Sequence, residues 1–279
     1  VPELPEVETA CRLLPRVLVG RRIASARVMP DEIVLKGTPP EAVREALEGA
    51  TVTGIGRKGK YWWIELDRRP WVFGHLGMTG YLVDLSSGEV DRRVHGIRQG
   101  EENGDIRFLK LLVETEDGGR IAFTDGRRLA RLWLAESPAH DKSVSALGFD
   151  VRDELPPATE LHARLVKRKA PLKAILMDQG FFAGVGNYMA DETMFQARLS
   201  PHRLGSSLTL PEVRRLRKAL ASITDHAITV GADYVHFPDD WLFHHRWGGG
   251  RGPEHYRGHP IQRDQIGGRT TAWVPKLQR

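Results

Sequence analysis

The first ten residues, VPELPEVETA, place two carboxylates, Glu3 and Glu6, close in sequence to an α-amino group in a chain that begins here. An α-amino group has an ordinary pKa of about 8, so much of it is neutral and nucleophilic near neutral pH. Amines attack aldehyde-level carbons to form Schiff bases, and nearby carboxylates can move the protons. The alternative interpretation is that both glutamates only favour the first turn of a helix.

A second candidate is the glycine turn at 183–186, which lies within QGFFAGVGNYMADE and is followed by Asn187 and a predicted helix. A tight glycine turn lets the backbone N–H groups at a helix N-terminus approach a phosphate, and Asn187 adds a side-chain donor. The alternative is a plain turn in which Asn187 only caps the helix.

Three further stretches place a cation or an apolar side chain at a turn or strand edge. Met78 lies in GHLGMTG between two predicted strands, where it could wedge into a base stack or simply fill a core. In TDGRRLARLW, Arg127 and Leu129 place a cation beside an apolar side chain. Lys60 ends the basic run before YWWIEL, where it could hold a phosphate or extend its amine to solvent.

Composition limits the class of protein. The chain has 279 residues, and 41 Lys and Arg exceed 36 Asp and Glu by five, which only weakly favours a polyanionic partner. A single cysteine, Cys11, excludes an intrachain disulfide and a cysteine-built zinc site. Without a long apolar run or a signal-peptide pattern, we expect no membrane partner and a cytoplasmic location.

The first half of the chain has a mostly β pattern. Between 20 and 135, several stretches alternate or run apolar, with Gly and Asp between them. Amphipathic helices are predicted at 5–18 and 39–48. Strands at this spacing predict a two-layer β-sandwich or a barrel, in a domain spanning 1–137.

The second half has a helical pattern. Residues 138–158 are polar, contain a Pro pair and are predicted to be a linker. Four helices are predicted after it, at 159–168, 171–179, 187–197 and 210–229. Thr209 is the expected N-cap of the last helix. The fold class is therefore α+β, with a helical domain at 159–245 and a β-hairpin at 246–279 that turns at IGGR.

Several motifs occur in one order over essentially the whole chain: PELPEVET, GRKGKYWWIEL, HLGMTG, DGRRL, PLKAILMDQGFFAGVGNYMADE, ARLSPHR and GGRTTAW. Together they resemble the formamidopyrimidine-DNA glycosylase and endonuclease VIII family of base-excision repair enzymes. The resemblance implies an N-terminal β-sandwich with flanking helices, and a C-terminal helix–two-turns–helix domain with a β-hairpin finger. It also implies double-stranded damaged DNA as the partner.

The resemblance implies a mechanism as well. A damaged base is flipped out of the duplex, and the N-terminal amine attacks C1′ of its sugar. A β,δ-elimination by AP lyase activity then nicks the strand. By position, Pro2 matches the nucleophile, Glu3 the proton donor and Glu6 a supporting carboxylate.

The other site residues are carried over in the same way. Those that match phosphate-holding positions are Lys60, Asn187 and Arg269, and Lys60 is also expected to belong to the catalytic residues. Two more cations expected to contact DNA are Lys173 and Arg246. Those that match the residues filling the vacated stack are Met78, Arg127 and Leu129, the last in place of the family's usual phenylalanine.

The finger departs from the family's pattern, in which four cysteines usually hold zinc. The aligned positions carry Glu254, Arg257, Val274 and Leu277. Arg, Val and Leu side chains are not zinc ligands. We therefore expect a zincless finger, with no metal and no cofactor, whose hairpin is held by the packing of Ile261, Ile266, Trp273 and Val274.

The first residue departs from the pattern too. Val1 precedes Pro2 here, and a proline inside a peptide bond has no lone pair with which to attack. Three outcomes are open. Val1 supplies the amine, trimming or a different natural start restores Pro2 as the terminus, or the protein binds lesions or abasic sites without this chemistry.

The leading hypothesis is a monomeric, nucleoid-associated DNA glycosylase that removes oxidised bases and possesses AP lyase activity if the amine is intact. The alternative is a catalytically impaired protein that binds lesions or abasic sites. The segment between Gly231 and Phe243 is short, whereas the resemblance implies a longer loop here, capping the flipped purine, in the 8-oxoguanine-excising branch. This difference favours oxidised pyrimidines or hydantoins as substrates.

Overall fold

The structure is a computed structural model that describes residues 2–86, 106–247 and 254–279. Val1, one of the predicted catalytic residues, lies outside the described residues. The chain divides into two compact units, which are Val1–Pro2 with Glu6–Ala146 and Glu3–Pro5 with Leu147–Arg279.

The first unit is built on two antiparallel sheets. Its helices are α1 (Leu4–Cys11, whose first two residues belong to the second unit), α2 (Leu13–Leu18), α3 (Pro40–Leu47) and α4 (Lys142–Ser145). Its strands are β1 (Ile23–Val28), β2 (Val52–Lys58), β3 (Tyr61–Leu66), β4 (Trp71–His75), β5 (Gly80–Asp84), β6 (Leu109–Thr115), β7 (Arg120–Asp125) and β8 (Arg131–Ala135). The strand orders are β1-β6-β7-β5 and β2-β3-β4-β8.

One apolar core joins these two sheets. Trp62 of β3 and Phe123 of β7 pack edge to face, with ring centroids 5.7 Å apart. Val7 and Leu14 of the two N-terminal helices belong to the same buried cluster. Shared burial of this kind defines a sandwich, so the predicted two-layer architecture and the α+β class are confirmed.

The helix predicted at 5–18 is two helices, α1 and α2, separated at Arg12. Pro15 has no N–H to donate to the carbonyl of Cys11, so one bond of a continuous helix is missing. The separation is local, because Leu14 and Val7 still bury their side chains in the same core.

The second unit is mostly helical. Its helices are α5 (Ala158–Leu165), α6 (Leu172–Met177), α7 (Asn187–Gln196) and α8 (Leu210–Thr229). Its strands are β9 (Phe149–Asp150), β10 (Phe182–Ala183), β11 (His255–Tyr256), β12 (His259–Pro260), β13 (Gln262–Ile266) and β14 (Arg269–Trp273). Short 3₁₀ turns occupy Gly205–Ser207, Tyr234–His236 and Leu242–His244. The boundary between the units, after Ala146, falls inside the predicted linker 138–158, which carries α4 before the boundary and β9 after it.

Two local predictions in this unit are confirmed. Thr209 is the N-cap of α8, and its N–H donates to the Glu212 carboxylate at 2.8 Å in a capping box. Strands β13 and β14 pair as an antiparallel hairpin that turns at Gly267 and Gly268, whose φ angles are +59° and +74°. Two successive left-handed residues favour glycine at both positions.

In the described ranges, the helices are all too short or too polar to cross a bilayer.

Candidate functional site

Glu3 is a buried carboxylate at the N-terminus of α7. Its side chain is in the second unit and is 2% exposed. Its oxygens accept hydrogen bonds from the backbone N–H groups of Gly186 (2.8 Å), Tyr188 (2.9 Å) and Met189 (3.1 Å). The first N–H groups of a helix have no acceptor within the helix. Here the Glu3 carboxylate, from a distant part of the chain, is their acceptor. The carboxylate is thereby held in one orientation directly after Pro2.

The turn before α7 needs glycine at two positions, because Glu3 and Leu4 occupy the space that a larger side chain would fill. A Cβ atom added at Gly186 would lie 2.1 Å from Cδ of Glu3, and one added at Gly184 would lie 2.5 Å from Leu4. The prediction that this turn presents its N–H groups to a phosphate is therefore corrected, since Glu3 already accepts from them. The alternative that Asn187 caps the helix is wrong too, because Gly186 is the N-cap.

Asn187 links the start of α7 to the finger hairpin. Its Oδ1 accepts from Nζ of Lys173 at 2.7 Å, and its Nδ2 donates to the carbonyl of Thr270 at 3.1 Å. Thr270 follows Arg269, whose side chain is exposed at the first position of β14. The structure thus brings two of the predicted phosphate-holding residues, Asn187 and Arg269, to neighbouring positions.

Lys173, Asp191 and Arg246 form a buried ionic network. Nζ of Lys173 donates to Oδ1 of Asp191 at 2.6 Å, and Arg246 donates through Nη2 to Oδ2 at 3.0 Å. Lys173 is fully buried, Asp191 is 1% exposed, and the Arg246 side chain is 10% exposed. Burial lowers the pKa of Lys173, and the Asp191 carboxylate opposes that shift.

This network gives Lys173 and Arg246, the two cations predicted to contact DNA, a shared partner inside the protein. Both cations are directed at Asp191, whose Oδ2 also accepts from the N–H of Ala272 in β14 at 3.3 Å. Their charge therefore organises the protein, since it connects α6, α7 and the segment after α8 to the hairpin. Through Asn187 the same network reaches the residue beside Arg269.

The donor set at the finger's four aligned positions does not fit zinc. Val274 is fully buried and packs with Ile261, Tyr256 and Ala272 in a small apolar cluster. Of the residues predicted to hold the hairpin, Ile266 is also buried, and Trp273 donates through Nε1 to Asp264 at 2.8 Å. Within 2–86, 106–247 and 254–279, no three His, Cys, Asp or Glu residues come together as metal ligands would.

In the first unit, Lys60 lies in the tight turn between β2 and β3. Arg57 braces this turn, because it donates through Nε to Glu8 at 2.8 Å and through Nη1 to the carbonyl of Gly59 at 3.1 Å. The neighbouring His75 has a pKa lowered to about 4, by burial first and then by the charge of Lys60. His75 therefore stays neutral at neutral pH, with its Nδ1 accepting from Gly77.

The predicted stack-filling residues lie on two loops that touch. Met78 is 42% exposed on the loop between β4 and β5. Arg127 is exposed and Leu129 half-buried on the loop between β7 and β8. Gly77 has a φ angle of +62°, and a Cβ there would lie 2.3 Å from the carbonyl oxygen of Leu129. The structure thus places an apolar side chain on each of two adjoining loops.

Two other predicted catalytic residues, Pro2 and Glu6, belong to the first unit and are half-buried. Glu6 lies in the first turn of α1, as the alternative interpretation of the N-terminal glutamates expects. That interpretation is wrong for Glu3, which precedes α1 and accepts from α7 instead.

Glu192 is a buried acid on α7 that is not among the site residues predicted from the sequence. It is 1% exposed and accepts from Nε2 of Gln196 at 2.8 Å and from the N–H of Phe243 at 2.9 Å. Burial raises its pKa to about 8, against the opposing effect of these two hydrogen bonds. A signal was present in YMADETMF, where two acids sit among apolar residues that α7 buries on all sides.

The raised pKa of Glu192 predicts how stability changes with pH. The folded protein keeps the proton up to about pH 8, whereas the unfolded chain releases it near the ordinary pKa of 4.5. The folded state binds more protons in that window, so the free energy of unfolding falls as pH rises, by up to about 1.4 kcal/mol per pH unit from this group. We expect Glu192→Gln to lose this slope in urea denaturation between pH 5 and 8. A variant with the wild-type slope would contradict the assignment.

Comparison with known proteins identifies the family to which the chain belongs. A family model described as the formamidopyrimidine-DNA glycosylase N-terminal domain matches residues 1–132, and one described as that enzyme's H2TH domain matches residues 147–239. The chain is 34% identical to a formamidopyrimidine-DNA glycosylase of Arabidopsis thaliana, over all of this chain and 71% of that protein. It is 35% identical to one of Acidiphilium cryptum, over 88% of this chain and 86% of that protein.

Solved structures show the same fold. The Lactococcus lactis Fpg in complex with DNA containing an oxidised pyrimidine superposes with a TM-score of 0.79, at 22% identity and full coverage of both chains. The Lactococcus lactis Fpg in complex with abasic-site DNA superposes with a TM-score of 0.76, at 23% identity and 99% coverage of both. With both halves of the sequence matched and the fold shared over its length, this chain belongs to the formamidopyrimidine-DNA glycosylase family.

Proposed function

We propose that this protein is a base-excision-repair DNA glycosylase with AP lyase activity that removes oxidised bases from double-stranded DNA. Family membership supports the class of reaction. The observation that carries the chemistry is the buried Glu3 carboxylate, which three backbone N–H groups hold directly after the N-terminal segment. A carboxylate held in this way is a fixed proton carrier beside an amine in sequence.

In the proposed reaction, the lone pair of the N-terminal amine forms a bond to C1′ of the damaged nucleotide. The glycosidic bond breaks, and its electron pair leaves with the base, which takes up a proton from water. Glu3 accepts the proton that the amine nitrogen loses and delivers it to the ring oxygen O4′, so that the sugar opens to a Schiff base. Elimination of the 3′ phosphate, and then of the 5′ phosphate, cleaves the strand.

The nucleophile is the amine of the mature N-terminus. Val1 supplies a primary amine if it is retained, and Pro2 supplies a secondary amine if it leads the mature chain. Either amine forms the same C1′–N bond, and either can give its proton to Glu3. Glu6, in the first turn of α1, is proposed to stabilise the positive charge that forms on the attacking amine.

We assign phosphate contacts to three residues and stack filling to three others. In the second unit, the phosphate contacts are made by the exposed Arg269 and the neighbouring Asn187. In the first unit, they are made by Lys60, whose turn is held by Arg57. The stack-filling residues are Met78, Arg127 and Leu129. Lys173 and Arg246 act indirectly, because their network with Asp191 fixes Asn187 and β14.

We propose oxidised pyrimidines or hydantoins as the preferred lesions. Residues 231–243 form a compact segment in which Phe237 is 2% exposed and packs within 5.0 Å of Phe243, measured between ring centroids. Because the residues of this short segment pack against one another, few of them are left to form a loop that covers a flipped purine. We further propose that the protein acts as a monomer on nucleoid DNA in the cytoplasm.

Excision from a panel of duplexes tests this function. We expect release of oxidised pyrimidines and hydantoins at higher kcat/KM than release of 8-oxoguanine, with strand cleavage after excision. Tight binding of lesion or abasic duplexes without turnover, unchanged by Glu3→Gln, would instead identify a lesion-binding protein. Absence of both binding and excision would contradict the proposal.

Arg269 offers a test of the phosphate contacts. We expect Arg269→Ala to weaken duplex binding and to reduce the slope of log K against log salt by about 1, as loss of one phosphate contact does. The measurement is fluorescence anisotropy over a salt series, with Lys276→Ala as an exposed basic control outside the hairpin. An unchanged slope in Arg269→Ala would exclude the phosphate contact.

A further inference from the structure

Asp125, the last residue of β7, is a buried carboxylate that joins the two stack-filling loops. It is 1% exposed. Its Oδ2 accepts from the N–H groups of Leu129 and Ala130, both at 2.7 Å. Its Oδ1 accepts from the N–H of Arg127 at 3.0 Å and from the hydroxyl of Thr79 at 2.6 Å. Three of these donors lie on its own loop and the fourth lies on the other.

The donors are the stack-filling residues themselves or their neighbours. Arg127 and Leu129 donate directly through their backbones, and Thr79 follows Met78 in the chain. One side chain therefore holds the backbone at Arg127 and Leu129 and the side chain of Thr79 next to Met78. Residue types alone do not require this, because the loop that carries Met78 and the loop that carries Arg127 and Leu129 are far apart in sequence.

Steric contact makes the same connection. A Cβ added at Gly80 would lie 2.5 Å from the carbonyl oxygen of Leu76 and 3.1 Å from Cβ of Ala130. Met78 thus lies between two glycines that are in close contact with neighbouring atoms. Gly77 contacts the backbone of Leu129 on the other loop, and Gly80 contacts Ala130 and the backbone of Leu76. Larger residues would push the two loops apart.

The far side of the Arg127 loop is anchored separately. Arg128 adopts a φ angle of +56° and donates to both carboxylate oxygens of Asp31, through Nε at 3.0 Å and through Nη2 at 3.0 Å. Asp31 also accepts from Nζ of Lys110 at 2.9 Å. The residue between Arg127 and Leu129 is thus anchored to another part of the first unit.

Asp125 is ionised under ordinary conditions. Burial favours its neutral form, but the hydrogen bonds from Thr79 and from the backbone outweigh burial and hold the pKa of Asp125 below its usual range. An ionised carboxylate forms charge-assisted bonds with all its donors, which are stronger than bonds between neutral groups.

We propose that Asp125 is a positioning residue that holds Met78, Arg127 and Leu129 as one preformed wedge for the space that a flipped nucleotide vacates. The inference rests on the proposed function, because a wedge is needed only where a base leaves the stack. Side chains that enter a base stack must offset the cost of unstacking it. Loops ordered before binding avoid a further cost of ordering during it.

Fluorescence of 2-aminopurine placed opposite an abasic-site analogue tests the wedge without requiring catalysis. Entry of the wedge unstacks the base, so the saturating wild-type protein is expected to raise the fluorescence. Asp125→Asn has one acceptor oxygen in place of two, and we expect its rise at saturation to be smaller by roughly two- to tenfold. Its single-turnover excision from duplex is expected to fall by about 10–100-fold.

Two controls separate positioning from folding. Trapping of Asp125→Asn on a single-stranded abasic oligonucleotide, which has no vacated stack, is expected to match the wild type. Thr79→Val, which removes only the bond between the loops, should reduce the fluorescence rise, and Thr79→Ser should restore it. This pair decides the proposal if Asp125→Asn does not fold.

The outcomes are distinct. A wild-type rise in both Asp125→Asn and Thr79→Val overturns the positioning role, as does an equal loss on duplex and single-stranded DNA. A wild-type protein that binds duplex without raising fluorescence overturns the wedge. A wild-type protein that neither binds nor traps abasic DNA contradicts the proposed function itself.

Discussion

Glu3→Gln is expected to lower single-turnover base excision by on the order of 10²–10⁴-fold, the range that positioned general acid–base groups contribute. The amide cannot accept the amine proton and pass it to O4′. The fold around it should persist, because one oxygen remains to accept from the N–H groups at the start of α7. Quench assays on a lesion-bearing duplex measure the effect.

Two comparisons separate this chemistry from damage to the helix start. Glu3→Asp keeps a carboxylate but shortens it, so we expect its rate to lie between wild type and Glu3→Gln. Glu41→Gln removes an exposed carboxylate on α3 and should leave the rate unchanged. Excision by Glu3→Gln within threefold (roughly) of wild type would remove Glu3 from the proton path.

Asp191→Ala is expected to lower the free energy of unfolding by about 3–5 kcal/mol, because two buried cations lose their shared partner. Lys173 is fully buried and the Arg246 side chain is 10% exposed, so both charges lose their partner in a place with little access to water. The N–H of Ala272 in the hairpin loses its acceptor as well. Urea denaturation at neutral pH measures the change.

A matched control and a compensating variant sharpen this prediction. Asp225→Ala removes an exposed aspartate on α8 and is expected to be close to wild type. The double variant Lys173→Met with Asp191→Leu removes one buried charge with its partner, and should recover part of the loss. If Asp191→Ala costs less than about 1 kcal/mol, the network does not hold the finger.

Local patterns were enough to predict many elements of this fold. The capping box at Thr209 and Glu212 determines where α8 begins, because both partners lie within one helical turn. The hairpin turn at Gly267 and Gly268 is likewise specified by two residues that tolerate positive φ. Apolar alternation predicts strands in a sandwich or a barrel, since the side-chain period of a strand is visible without its partner.

The carboxylates that organise the site could not be predicted in this way. Glu3 accepts from residues more than 180 positions away, and Asp191 pairs with Arg246, 55 positions later. A buried acid looks the same in sequence as an exposed one until the fold places its partners. The same gap applies to Lys173 and Arg246, because the sequence shows their charge but not its pairing with Asp191.

The proposed reaction requires the mature N-terminal amine to form a covalent bond with the sugar. Borohydride reduction during turnover on a lesion-bearing duplex, followed by digestion and mass spectrometry of the adduct, tests it most directly. We expect a trapped complex with the nucleotide on the terminal amine, and the position of this adduct identifies Val1 or Pro2 as the nucleophile. Base release without an adduct, or an adduct on a lysine side chain, would contradict it.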